Sequence, residues 1–342
     1  RDGDSALVGH GNEITESEEL QRLSDRLQNL MGRPGYKGPR EWIILELRNL
    51  VNTAKSTTAR FNPSDFVKTF TRKASQFAAD TQHDAQECLN YLLDKMCSEI
   101  DDIQDRHRTG TGQVLFPETK SDGLSPAEMD WLSDPTWTKS FIEDIFCGQQ
   151  MYQQKCLACG HSLQPKFEPF IMLSIPIANS QRMGARRRSQ KVGLSACLSR
   201  YFCQEELLDY TCDVCHEKGK CIRQISVHRL PKYLIIHLKR FNYVGGTDQD
   251  KIISAVDFPL MNLQMAEYYA SPKDDVPYNL SAVVSHSGHS RNSGHYIAHC
   301  FNNELNGWLR FDDPRVTESK KSTCINQSDA YILFYKAQED YK

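Results

Sequence analysis

Ser293-Gly294-His295-Tyr296-Ile297-Ala298-His299-Cys300-Phe301 is followed, after a short polar gap, by Trp308-Leu309-Arg310-Phe311-Asp312-Asp313. Both runs read as strands bounded by Gly, Asn, Ser and Asp. His295 stands at the start of the first strand and Asp312 at the end of the second. Neighbouring strands with this layout can bring the two side chains together. The acid would then fix the tautomer and orientation of an imidazole acting as general base. The chain has 11 histidines, so this spacing alone does not select the pair from many others.

Further strands are expected at Ile222–Arg229, Tyr233–Arg240, Asn279–Ser285 and Ala330–Tyr335. The first two are joined by a short turn at Leu230-Pro231. Upstream the pattern is helical. Leu20, Leu23, Leu27 and Leu30 recur at helical spacing after Thr15. A second helix is expected through Glu41–Leu50, and a third after Pro63 with Ser64 as its cap and Asp65 in its first turn. The longest follows Asp84, where Ala85, Cys88, Leu89, Leu92, Leu93, Met96, Cys97 and Ile100 form one core-facing stripe. Residues 109–124 read as a Gly-rich loop, and residues 178–190 as an exposed loop. Helices first and strands later indicate an α+β fold rather than an alternating parallel sheet.

Composition narrows the function classes. The 342 residues allow two or three packing units at roughly 150 residues each. Net charge is −3 with no basic block, so no nucleic-acid partner is expected. The longest apolar runs fall well short of the roughly 18 residues of a membrane span, so no membrane partner is expected either. The first residue is Arg1 and no apolar signal core follows it, as in a piece of a longer soluble polypeptide. The 12 cysteines are too sparse for a secreted disulfide scaffold. They point to a reducing compartment, cytoplasmic and/or nuclear.

Four cysteines form two tight pairs, Cys156-Leu157-Ala158-Cys159 and Cys212-Asp213-Val214-Cys215. Each pair can grip a metal from one turn. Together they offer the four thiolates that tetrahedral Zn²⁺ prefers, in a closed and therefore structural site. The bland alternative is four ordinary buried cysteines. Redox use of one pair is less apt, because neither sits in a thioredoxin-like βαβ context. Such a metal would join two hairpins far apart in sequence.

These motifs, taken with others, resemble one family. Thr81-Gln82-His83-Asp84-Ala85-Gln86-Glu87 is similar to the Gln-Asp-Ala-Gln-Glu box of the ubiquitin-specific proteases (USP). Leu230-Pro231-Lys232 running into His237-Leu238-Lys239-Arg240-Phe241 resembles another family segment. The paired cysteines match its zinc site. Tyr278-Asn279-Leu280, His286-Ser287-Gly288 and Gly294-His295-Tyr296 resemble its His box, and Trp308–Asp313 with Ser328–Tyr335 its C-terminal part. The resemblance implies a papain-like cysteine peptidase fold of USP type, as a single domain over residues 1–342. A helical thumb would occupy residues 1–140, zinc-stapled β fingers mainly 141–240, and a β-rich palm mainly 241–342. It implies ubiquitin or ubiquitinated proteins as partners and a Cys-His-Asp/Asn triad acting on the ubiquitin tail. His295 would be the general base and Asp312 its orienting partner, with Asp313 a polar neighbour. Structural zinc would sit on Cys156, Cys159, Cys212 and Cys215.

The N-terminal end departs from the pattern. The family's Cys box reads roughly Gly-Leu-x-Asn-x-Gly-Asn-Thr-Cys-Tyr. The matching stretch here is Ala6-Leu7-Val8-Gly9-His10-Gly11-Asn12-Glu13-Ile14-Thr15. Leu7, Gly11 and Asn12 keep the register, which puts Ile14 at the nucleophile position and Gly9 at that of the oxyanion-binding Asn. Losing the nucleophile of a comparable triad costs on the order of 10⁶ in turnover. Losing such a donor costs on the order of 10² to 10³. The expected function is therefore ubiquitin recognition with little or no isopeptide hydrolysis. The alternatives are an active deubiquitinase whose true Cys box is missing or mis-joined here, one using another cysteine such as Cys88, and a non-catalytic interaction scaffold.

Overall fold

The computed structural model describes residues 42–56, 62–78, 82–111, 127, 141–178, 191–241, 243–244, 247–248, 251–270, 276–290, 293–303, 305–320 and 328–338. Gly9, Ile14, the helix expected around Leu20–Leu30 and most of the two expected loops lie outside these residues. The chain divides into two compact units, Arg1–Ala79 with Ser98–Glu118, and Asp80–Cys97 with Thr119–Lys342.

In the first unit, helix α1 (Ile43–Ser56) and helix α2 (Ser64–Lys73) accompany the C-terminal half of the long helix α3 (Ala85–Thr111). Phe70 stacks on Phe66 and Phe77, with ring centroids 6.0 and 5.8 Å apart. Glu99, on the C-terminal half of α3, is buried. Its carboxylate accepts the N–H groups of Ile43 and Ile44 at 3.1 Å and contacts Lys73 Nζ. A helix N-terminus leaves such donors unsatisfied and favours negative charge, so a distant acid does the work of a local cap. Ser64 does not cap α2. Its own N–H donates to Asn62 Oδ1 at 3.0 Å, and the preceding Pro63 makes no side-chain cap bond. The sequence expectation of a loop from Thr109 also moves, because α3 continues to Thr111.

The second unit contains short helix α4 (Phe141–Phe146), then strands β1 (Gly148–Cys156), β2 (Lys166–Phe170), β3 (Met172–Pro176) and β4 (Val192–Gly193). Helix α5 (Leu194–Tyr201) precedes β5 (Glu205–Thr211), β6 (Lys218–Arg229) and β7 (Tyr233–Lys239). The short strands β8 (Tyr243–Val244), β9 (Thr247–Asp248) and β10 (Val256–Asp257) follow. Last come β11 (Tyr278–Ser290), β12 (Ser293–Asn302), β13 (Gly307–Asp312), β14 (Arg315–Ser319) and β15 (Ala330–Ala337).

Two sheets organise this unit. A seven-stranded sheet runs β14-β13-β12-β11-β15-β7-β3, and a four-stranded sheet runs β2-β1-β6-β5. In β7, Leu234 to Leu238 are all buried. Such a run suits a strand covered on both faces, and β7 lies between β15 and β3, its one parallel neighbour. The strands flanking Leu230-Pro231 do not pair with each other. β6 belongs to the four-stranded sheet and β7 to the seven-stranded one, so this short link carries the chain between sheets. The core gathers Leu173, Ile175, Leu194, Leu198, Ile236 and Tyr335 around the larger sheet, all of them buried. Among the described residues no helix is long and apolar enough to cross a membrane.

Candidate catalytic and metal sites

β12 and β13 pair antiparallel, with Ala298 opposite Phe311 and Cys300 opposite Leu309. This register carries the start of β12 past the end of β13, where His295 meets Asp312. His295 Nε2 lies 2.6 Å from Asp312 Oδ1. The second carboxylate oxygen of Asp312 is 2.7 Å from the Arg310 guanidinium, two residues back on the same face of β13. The hydrogen bond to Asp312 raises the pKa of His295, and its counterpart lowers that of Asp312. The acid therefore holds one ring nitrogen as a donor, and Nδ1 is the nitrogen not engaged with it. Asp313 follows in the tight turn to β14, at φ 50°, a left-handed conformation that Asp tolerates better than most residues. Its carboxylate is 4.0 Å from His295 Nε2, a neighbour rather than a bonded partner.

The Gln82–Glu87 box braces this strand. Asp84 caps α3, its Oδ1 accepting the Gln86 N–H at 2.7 Å, and its Oδ2 accepts the Tyr331 hydroxyl at 2.7 Å. Gln82 Oε1 accepts the N–H of Gly294 at 2.8 Å. The N–H of Ala85 donates to the Tyr296 hydroxyl oxygen at 3.3 Å. The residues on either side of His295 are thus tied to the start of α3. On the other side, buried His286 lies so close that a Cβ at Gly294 would come within 2.2 Å of its Nε2. Only glycine fits there. Lys251, also buried, donates to the His286 carbonyl and, at 2.7 Å, to Asp329 Oδ1. The sequence motifs include Gln82 and Arg310 without showing these roles, and Lys251 lies in none of them. For Arg310 the available signal is its i, i+2 spacing from Asp312.

Cys88, the alternative nucleophile, is half-buried on α3, and burial raises its pKa. That disfavours the thiolate on which nucleophilic attack depends. Beside the Asp84 cap lies a cavity of about 210 Å³ lined by Asp84, Gln86, His237, Phe241 and Tyr331. His237 Nδ1 lies 3.0 Å from Ser174 Oγ, and burial pushes the His237 pKa down to about 4.

The two cysteine pairs converge. Their four sulfurs all lie within 4.8 Å of one another, with Cys156 and Cys215 at 4.0 Å and Cys159 and Cys212 at 3.8 Å. A tetrahedron with metal–sulfur bonds of about 2.3 Å has sulfur–sulfur edges of about 3.8 Å, so the donor set fits a single ion. The turns that carry them are built alike. The Cys156 carbonyl accepts the Gly160 N–H at 3.0 Å, and the Cys212 carbonyl accepts the His216 N–H at 2.9 Å. The Cys156 N–H donates to His161 O at 2.9 Å, and the Cys212 N–H to Glu217 O at 3.2 Å. Gly160 and His216 both adopt positive φ, 74° and 59°. Backbone N–H groups of Cys215 and Val214 pull the Cys212 thiol down to about 7. One turn joins β1 towards β2 and the other joins β5 to β6, so the cluster links two hairpins of the four-stranded sheet. Cys221 lies outside it, its thiol donating to Ile222 O at 3.5 Å.

Residues 8–335 match the family described as ubiquitin carboxyl-terminal hydrolase. The chain belongs to this family. Human ubiquitin carboxyl-terminal hydrolase 2 is 32% identical over 98% of the chain and 55% of that protein. The rat protein of the same name is 34% identical over 86% of the chain and 46% of its own length. The chain therefore spans about half the length of these curated relatives. Among solved structures, a yeast SAGA DUB module aligns with a TM-score of 0.69 at 21% identity, covering 95% of this chain and 64% of that one. A SAGA Ubp8/Sgf11/Sus1/Sgf73 DUB module bound to ubiquitin aldehyde aligns at 0.67 and 21%, covering 95% and 65%. At this identity the structural likeness establishes the fold: α+β, of the ubiquitin-specific protease type.

Proposed function

We propose that this chain is a ubiquitin-recognising deubiquitinase domain whose own hydrolytic activity is small or absent because Ile14 stands at the nucleophile position. The observation that carries the reading is the His295–Asp312 pair, 2.6 Å apart at the meeting of two strands. Asp312 holds Nε2 as a donor and Arg310 holds Asp312, leaving Nδ1 to take a proton from a thiol. In the family reaction that thiolate attacks the carbonyl of the isopeptide bond after the C-terminal glycine of ubiquitin, and the acyl-enzyme is then hydrolysed. Ile14 has neither a proton to give nor a lone pair to attack with. Gly9 has no side chain to donate to the oxyanion. Ubiquitin as partner is supported by the family membership and by the fold neighbour bound to ubiquitin aldehyde.

Cys156, Cys159, Cys212 and Cys215 would hold a structural Zn²⁺, which supplies a closed cross-link between hairpins and no open position for chemistry. The sparse cysteines support a reducing compartment, cytoplasmic and/or nuclear.

Two measurements test the reading together. Titration with monoubiquitin is expected to show saturable binding, whereas a pure scaffold would show none. A ubiquitin probe with a C-terminal electrophile is expected to leave every cysteine unlabelled. Robust labelling of any of them overturns the loss of activity.

A further inference from the structure

A second cavity, of about 330 Å³, lies against β1 and β6 of the four-stranded sheet, and neither His295 nor a cysteine of the cluster is among its described lining residues. Its walls include Phe202, Tyr268, Tyr269, Glu267, Gln153 and Gln224. Phe202 and Tyr268 stack with centroids 4.8 Å apart, and they are held in place by the packing of α5 against the core. Gln224 spends its side-chain amide on the carbonyls of Phe202 and Ile225, at 2.7 and 2.9 Å. Its Oε1 is the end left over. The Tyr268 hydroxyl donates to Ser195 O and meets Ser199 Oγ, both at 3.3 Å, so its hydrogen and its acceptor side are both engaged inside the protein. Burial, with the Glu267 carboxylate beside it, pushes the Tyr268 pKa up to about 12. Among the described residues no basic side chain lines the cavity and Glu267 forms no ion pair.

The cavity thus pairs aromatic walls with one spare acceptor, Gln224 Oε1, and the Glu267 carboxylate. A half-buried acceptor without a donor favours a ligand that brings one. A carboxylate beside ring faces favours a cation. A guanidinium meets both needs better than an ammonium, because its plane lies on a ring while its fork reaches a carboxylate.

We propose that this cavity binds a guanidinium group, presented as an arginine side chain on a partner polypeptide. The site is separate from the hydrolase reading and stands without it. The test is an NMR titration of the full chain with the capped tripeptide acetyl-Gly-Arg-Gly-amide. Saturable shifts are expected at the Gln224 side-chain amide and the Ala270 N–H. Glu267→Gln, at an exposed position, is expected to weaken binding roughly five- to tenfold. Three results overturn the proposal: no saturable shift, equal shifts from acetyl-Gly-Glu-Gly-amide, or unchanged affinity in Glu267→Gln. Agmatine, a guanidinium without a peptide backbone, separates the sources. Weaker binding of agmatine supports a polypeptide ligand, and equal or tighter binding refutes it.

Discussion

Gln82 Oε1 accepts the backbone N–H of Gly294 at 2.8 Å, although the two residues are 212 apart in sequence. Gly294 immediately precedes His295, so the side chain of one motif fixes the backbone entering another. Gln82→Ala removes the acceptor. The cost is expected to be about 1 kcal/mol, seen as faster amide exchange at Gly294 with little change elsewhere. Uniformly faster exchange across β12 would count against a local clip.

Gly294→Ala is expected to be more damaging. The new Cβ would meet His286 Nε2 at 2.2 Å and Ser287 O at 2.7 Å. One neighbour is backbone, so the strand must shift, at a cost of about 2 kcal/mol or more. Urea denaturation measures it. A midpoint equal to that of the parent protein would show that β12 has room the geometry does not suggest.

Cys156→Ser is expected to lower metal content from one zinc per chain to a small fraction of that and to destabilise the two hairpins. Elemental analysis after dialysis gives the first result, and amide exchange in β1 and β6 the second. A metal-free parent protein of equal stability refutes the zinc assignment.

Acid stability carries a sign. Burial lowers the pKa of His237 to about 4, while Asp84 acts to raise it and Lys239 to lower it further. The unfolded chain, with an ordinary histidine near 6.5, binds the proton more readily between those values. Stability from this group is therefore complete above about 6.5 and is lost as pH falls towards about 4, by roughly 3 kcal/mol in all. His286 and His299, also lowered by burial, pull the same way. His295 is raised by Asp312, so its contribution is present at low pH and lost as pH rises through its folded value. His237→Gln is expected to flatten the slope of urea midpoint against pH between about 6.5 and about 4.5. An unchanged slope would assign the acid sensitivity to other groups.

The double change Ile14→Cys with Gly9→Asn is expected to restore measurable cleavage of a fluorogenic ubiquitin substrate, from a baseline lower by on the order of 10³-fold or more. Complete silence would mean that more of the site than these two positions has been lost.

The features legible in the sequence are local. The residue pattern in β12 and β13 locates both strands, while His295 and Asp312 are singled out only by the family resemblance, and the two cysteine pairs announce their own convergence. The α3 stripe is legible for the same reason, since periodicity records which face is buried. Contacts between distant segments leave no such mark. Glu99 reads as one more charged residue on α3, yet it caps α1 from 56 residues away at Ile43. Ser64 has the composition of a cap without the geometry. The turn at Leu230-Pro231 is readable, but not that its two strands enter different sheets, because a turn's chemistry says nothing about which neighbours a strand will find.

The matched turns at Cys156 and Cys212 have a consequence for how the sheet assembles. Each is closed by its own backbone hydrogen bonds, so each can form with its two sulfurs already aimed together. A captured ion would then act on chain topology rather than on turn shape, fastening residues 159 and 212 across a long intervening segment. Such a fastening restricts the unfolded ensemble, and because loop-closure entropy grows only slowly with length, insertions between the turns would cost little. Variation in the intervening segment is therefore thermodynamically tolerable, provided that both turns survive.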